Sequence, residues 1–217
     1  MFIGHFAVAF AAKRAAPRTS LGVLVAAAQL LDLVWPVLVL AGIERVRVEP
    51  GNTAFTPLDF VSYPWSHSLL TAAAWSGLAG AVYWLAARYC RGAWVVGLAV
   101  FSHWLLDFIS HRPDLPLYPG SGTFAGLGLW NSVAGTVAVE AAMFAGGVWL
   151  YAAETRGKDR IGRIGFRAFV AFLAATYIMN LAGPPPPNGQ AVAAAGLAAY
   201  LFVIWAAWFD RHRTPIR

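Results

Sequence analysis

The stretch FSHWLLDFISHRPD, residues 101–114, sets His103, Asp107 and His111 at four-residue intervals. On an α-helix, positions four apart are neighbours about 6 Å apart, and positions eight apart lie about 12 Å apart with a drift of roughly 80°. His103 and His111 therefore cannot easily share one metal ion, whereas Asp107 reaches toward both. A carboxylate between two imidazoles can bridge two ions roughly 3.5–4 Å apart, each ion also receiving one histidine. The competing reading is a hydrogen-bonded histidine–aspartate seam between helices. Pro113 disfavours a helical Arg112, so the helix should end near His111, with Asp114 just beyond it.

What must position these residues is a membrane bundle. Of the 217 residues, 59% are hydrophobic and 12% charged, and the mean hydropathy is +0.59, whereas soluble domains carry roughly a quarter charged residues. Apolar runs long enough to cross about 30 Å of hydrocarbon fall at about 20–43, 66–89, 92–110, 131–154, 166–183 and 191–209. The expected fold is an all-α polytopic membrane protein, one embedded domain over 1–217, with six transmembrane helices and a short inserted N-terminal half-helix. Residues 1–115 form the metal-site half and 116–217 the supporting helices. The single cysteine, Cys90, rules out an internal disulfide and reads as a packing residue.

Orientation follows from the sixteen Lys and Arg residues. If the chain before residue 20 is cytoplasmic, only Arg45, Arg47 and Arg112 fall on the far side; the other thirteen share the cytoplasmic side with both termini. The net charge of +6 is then a topology signal plus attraction to anionic lipid, and nucleic acid is not needed to explain it. The setting implied is a bacterial or archaeal plasma membrane.

Asp32, Asp107 and Glu140 lie inside predicted spans, where an isolated charge costs at least roughly 2.5–3.5 kcal/mol. Each needs a partner or a purpose. As a half-helix, MFIGHFAVAFAAKRAAP would place His5 about 12 Å above the cytoplasmic surface, where it could meet Asp32 near mid-membrane. His67 opens the second span in YPWSHSLL, with Ser66 or Ser68 as cap. Glu140 is expected roughly 14 Å below the outer end of its span by helical rise, deeper than Asp107 and His111. The candidate ligands are thus His5, Asp32, His67, His103, Asp107 and His111, all nitrogen or oxygen donors, which suit zinc, manganese or iron.

In order along the chain come Gly4-His5, LLDLVWP with Asp32 before a Pro-containing turn, SHSLL with His67, and HWLLD with His103 and Asp107. This set resembles the LexA-regulated, membrane-bound metal-dependent hydrolases, thought to be distant relatives of the zinc-dependent phospholipase C superfamily. The likeness covers roughly residues 1–115. It departs from the family at Val34, where a second acidic residue is usual, and at Ser62-Tyr63-Pro64, where a His-Arg-Gly run is usual. It implies one or two divalent ions, most simply zinc, lowering the pKa of bound water from 15.7 toward about 7. The expected substrate is a phosphoric ester, in a lipid or lipid-linked molecule arriving through the non-cytoplasmic leaflet. Asp107 and Glu140 are the expected catalytic carboxylates, and Arg112 the phosphate-binding group. Two other readings stand beside the hydrolase: a metal or proton transporter using the same polar residues, and a catalytically degenerate member acting as a structural partner.

Overall fold

Residues 1–216 are described by a computed structural model. Its first helix, α1 (Ile3–Ala15), carries no charge before Lys13 and Arg14 in the last turn, where they complement the helix dipole. Thirteen residues reach only about 20 Å, too short to cross a bilayer. The helix is a half-span enclosed by others, with Phe6, Ala9 and Phe10 fully buried.

The first long apolar run folds as two helices rather than one. Helices α2 (Leu21–Ala28), capped by Ser20, and α3 (Leu30–Leu40) meet at Gln29 with a bend of 56°. Pro36 lies inside α3 rather than in a turn after Asp32 as expected. Having no amide hydrogen, it cannot bond the Asp32 carbonyl one turn back, which weakens the ladder close to the bend. Next come strands β1 (Arg45–Val48) and β2 (Leu58–Ser62), paired antiparallel, and a one-turn helix, α4 (Pro64–His67). Ser68 is extended and caps α5 (Leu69–Ala87), so the second span starts three residues later than the apolar run suggests.

Helix α6 (Cys90–Ser110) ends with His111 as its extended C-cap, as Pro113 requires. A short hairpin, β3 (Leu115–Pro116) with β4 (Phe124–Ala125), leads to α7 (Val133–Glu154). Strand β5 (Thr155–Gly157) precedes α8 (Arg160–Ala182), followed by α9 (Gly189–Gly196), α10 (Ala199–Arg211) and β6 (Arg213–Pro215), which pairs with β5. Among the described residues five segments are long and apolar enough to cross a membrane, six when the bent α2–α3 pair is counted as one span. Leu70, Leu98, Trp149 and Leu201 are among the large apolar side chains exposed on the outside. The protein is therefore an all-α polytopic membrane protein, as its composition demands; the β1–β2 and β3–β4 hairpins were not legible as apolar runs.

Two apolar clusters hold the bundle. One surrounds α1 with Leu24, Phe144, Phe169 and Phe209; the other joins Leu31, Trp35, Tyr63, Val96 and Trp104 around α3 and α6. Close approach of α1 to α7 depends on Gly147, where an added Cβ would sit 2.5 Å from the Ala7 carbonyl oxygen; at Gly146 it would meet nothing within 4 Å. Gly147→Ala should therefore destabilise the protein by about 1–3 kcal/mol in thermal melts in detergent, while Gly146→Ala should not. Equal melting of the two variants would contradict this packing.

Candidate metal centre

The bend at Gln29 matters because a helix end leaves carbonyls without amide partners. Ala28, the last residue of α2, offers its carbonyl to His103 Nδ1 at 2.8 Å. A carbonyl oxygen only accepts, so Nδ1 carries the hydrogen and the Nε2 of a neutral ring presents its lone pair inward. That Nε2 faces Asp107 Oδ2 at 3.2 Å and Asp32 Oδ2 at 3.7 Å. It is buried and satisfied by no hydrogen bond. A lone pair set against two carboxylates is repulsive unless a cation lies between them: a ring proton or a metal ion.

His67 is oriented in the same way by residues of the loops beside it. Glu44, buried in the turn after α3, accepts the Trp65 and Ser66 amides at 2.8 and 2.9 Å and the Ser66 hydroxyl at 2.6 Å. Because the hydroxyl hydrogen goes to Glu44, Ser66 Oγ accepts from His67 Nδ1 at 2.7 Å. His67 Nε2 then points to Asp32 Oδ1 at 3.5 Å and Asp107 Oδ2 at 3.7 Å. Metal-ligating histidines commonly have their outer nitrogen fixed by a carboxylate or carbonyl in this manner.

His5 reaches the same carboxylate from α1. Its ring stacks on His103 at 3.7 Å between centroids, and its Nε2 lies 3.1 Å from Asp107 Oδ1. The Met1 amine donates to that oxygen at 2.6 Å. Two overlapping triads have all their ligand atoms within 4.8 Å of one another: His5, His103 and Asp107, and Asp32, His67 and His103. Asp107 sends one oxygen toward His5 and the other toward His103 and His67, as a bridging carboxylate would. Asp32, 39% exposed at its side chain, is the member reached from outside; the others are buried.

The remaining sequence candidates stand apart from the triads. His111 Nε2 lies 3.9 Å from Asp107 Oδ1, and its Nδ1 is held by Asp114 Oδ1 at 3.0 Å. Tyr63 donates to the same oxygen at 2.8 Å; burial and the Asp114 charge hold its hydroxyl well above the ordinary range, so it remains a donor. Arg112 is half-buried, and its guanidinium pairs with Asp59 and Asp114. Glu140 differs most from expectation. Its Oε2 accepts the Phe2 and Gly4 amides at 2.9 and 3.1 Å, capping α1. It does not lie 14 Å below Asp107: residues 1–4 bridge the two, with the Met1 amine on Asp107 and the Phe2 and Gly4 amides on Glu140.

Glu44, Tyr63, Ser66 and the Ala28 carbonyl were missed as site components. Ser66 was visible only as a possible cap, and no spacing links Glu44 to it across 22 residues. No family model, curated protein or solved structure matches the chain.

If the Glu44–Ser66 pair fixes His67 for an ion, Ser66→Ala should weaken zinc binding about 10–100-fold in chelator competition, since Glu44 keeps both backbone amides. Unchanged affinity would limit the pair to shaping α4.

Proposed function

We propose that this is a membrane-bound hydrolase of phosphoric esters that works with one or two divalent ions, most simply zinc, held by His5, Asp32, His67, His103 and Asp107. The observation that carries the reading is the inward Nε2 of His103, fixed by the Ala28 carbonyl and set against two carboxylates. Three histidine Nε2 atoms and two carboxylates converge there, and nitrogen and oxygen donors without thiolate suit zinc, manganese or iron. Ions bound there would act as Lewis acids and activate water.

The chain's own groups supply the rest. Asp107 belongs to one triad and turns its second oxygen toward His67 of the other, so it would help hold an ion and would take the proton of an attacking water. Asp32, the exposed ligand, lies where a substrate phosphate would enter. Arg112, at the end of α6, has two of its nitrogens turned to Asp114 and Asp59, so it would meet a substrate phosphate through its remaining donors. Glu140, through α1, positions His5. The ordered motifs shared with the LexA-regulated hydrolases support the same chemistry.

A transport pathway needs polar groups continuing to the basic end. Between the cluster and that end lie Phe6, Phe10, Leu24, Phe169 and Phe209, an apolar layer that supports a closed pocket instead. The split of basic residues supports placing that end in the cytoplasm and the β1–β2 and β3–β4 hairpins outside, which gives the pocket to the non-cytoplasmic leaflet and a lipid or lipid-linked substrate.

Purified protein should carry stoichiometric divalent metal and release phosphate or a phosphorylated headgroup from lipid substrates. Asp107→Ala or His103→Ala should cut turnover by on the order of a hundredfold or more and remove most of the metal. Metal uptake into protein-containing vesicles with no hydrolysis of any phospholipid tested would replace the hydrolase with a transporter.

A further inference from the structure

The end of the bundle far from His5, His67 and His103 contains a cleft of about 600 Å³ lined by residues from four separate segments. Arg18 comes from the turn between α1 and α2, Arg91 from the first turn of α6, Lys158 from the link between β5 and α8, and Arg211 and Arg213 from the end of α10 and the strand after it. The acidic residue in the wall, Asp210, is already engaged. It accepts from Lys13 Nζ at 2.8 Å, from the Leu21 amide at 2.8 Å and from the Tyr151 hydroxyl at 2.6 Å. Lys13 matches its charge.

The other five cations have no such match: among the described residues, the carboxylate pairs at this end are Lys13–Asp210, Arg14–Glu154 and His212–Asp159. Arg213 is the informative one, because it is only 9% exposed. Its guanidinium donates to the Thr155 hydroxyl and to the Thr155 and Gly162 carbonyls, and it lies over the Tyr151 and Phe166 rings. Those partners are dipoles and ring faces; none carries a negative charge. Three of its five donors are used. Burial also pulls its pKa below the ordinary arginine value. The one carboxylate acting on it, Asp210, does so through space and is already matched by Lys13. A buried cation with no carboxylate in contact is costly, and a concave surface of four more cations beside it would hold an anion. Arg18, stacked 4.8 Å over the Tyr89 ring, is fixed at the rim.

We infer that this cleft is a second binding site, for a phosphate-bearing anion, built by Arg18, Arg91, Lys158, Arg211 and Arg213. Guanidinium forks match phosphate oxygens in pairs, and several cations around one cavity suit an ion of high charge density. It sits at the opposite end of α1 from His5, so it is independent of the histidine cluster and of the reaction proposed there. Its position at the end of the membrane-crossing helices lets the phosphate come from a lipid headgroup in the adjoining leaflet or from a soluble phosphate compound.

The test titrates the whole protein in neutral detergent with phosphatidylglycerol, phosphatidylcholine and inorganic phosphate, reading native mass spectra and melting temperature. Phosphatidylglycerol should bind and raise the melting temperature, and phosphatidylcholine should do neither. The double variant Arg18→Gln/Arg91→Gln, changed at exposed positions, should weaken phosphatidylglycerol binding roughly thirtyfold. Arg45→Gln/Arg47→Gln, at the other end, should leave it unchanged. If inorganic phosphate alone reproduces the stabilisation and displaces phosphatidylglycerol, the site stands with a soluble ligand. Equal binding of the two lipids, or equal weakening by both double variants, would overturn it.

Discussion

A carboxylate enclosed between membrane helices must find positive charge or hydrogen-bond donors, and the arrangement around Asp107 answers that demand. Its two oxygens are approached by His5 and the Met1 amine on one side and by His103 and His67 on the other. These groups come from α1 and the residues before it, α4 and α6, so the requirement to match one buried charge ties three separate segments together through polar groups. Apolar contacts alone give little helix specificity in lipid. The polar cluster supplies the register.

The outer nitrogens of the histidines show how far this organisation extends. His103 is held by a carbonyl freed where α2 gives way to α3, His67 by Ser66 and Glu44, and His111 by Asp114 with Tyr63. Each is an anchor outside the cluster that turns Nε2 toward Asp107 or Asp32. The bend at Gln29 and the folded loops that carry Glu44, Tyr63 and Asp114 are then parts of the site rather than incidental features. Below them the aromatic layer around Phe6 and Phe10 separates this polar region from a second one at the basic end, where Asp210 joins α1, α2, α7 and α10 through Lys13, the Leu21 amide and Tyr151.

Much of this was legible in the sequence. The spacing of His103 and Asp107 placed both on one buried face, Pro113 located the end of α6, and the short apolar segment before Lys13 gave an inserted half-helix. What was not legible depends on contacts between distant segments. Nothing in VAAAQLLD announces a break at Gln29: neither Gly nor Pro is present, and the proline that weakens the helix comes seven residues later. Glu44 reads as an ordinary loop acid until the fold brings it onto Ser66. Helical rise alone set Glu140 below Asp107, because it takes no account of Met1, Phe2 and Gly4, which lie inside the bundle and reach both carboxylates.

The central claim is that the cation set among His67, His103, Asp32 and Asp107 is a metal ion. Anomalous diffraction from crystals of the purified protein, collected on either side of the zinc absorption edge and of the manganese and iron edges, tests it directly. The account predicts an edge-dependent peak bonded to His103 Nε2 and to an oxygen of Asp32 or Asp107, and loss of that peak after chelation. Well-ordered density with no anomalous signal there at any edge, in protein prepared with these metals present, would contradict it and leave a protonated histidine–aspartate seam.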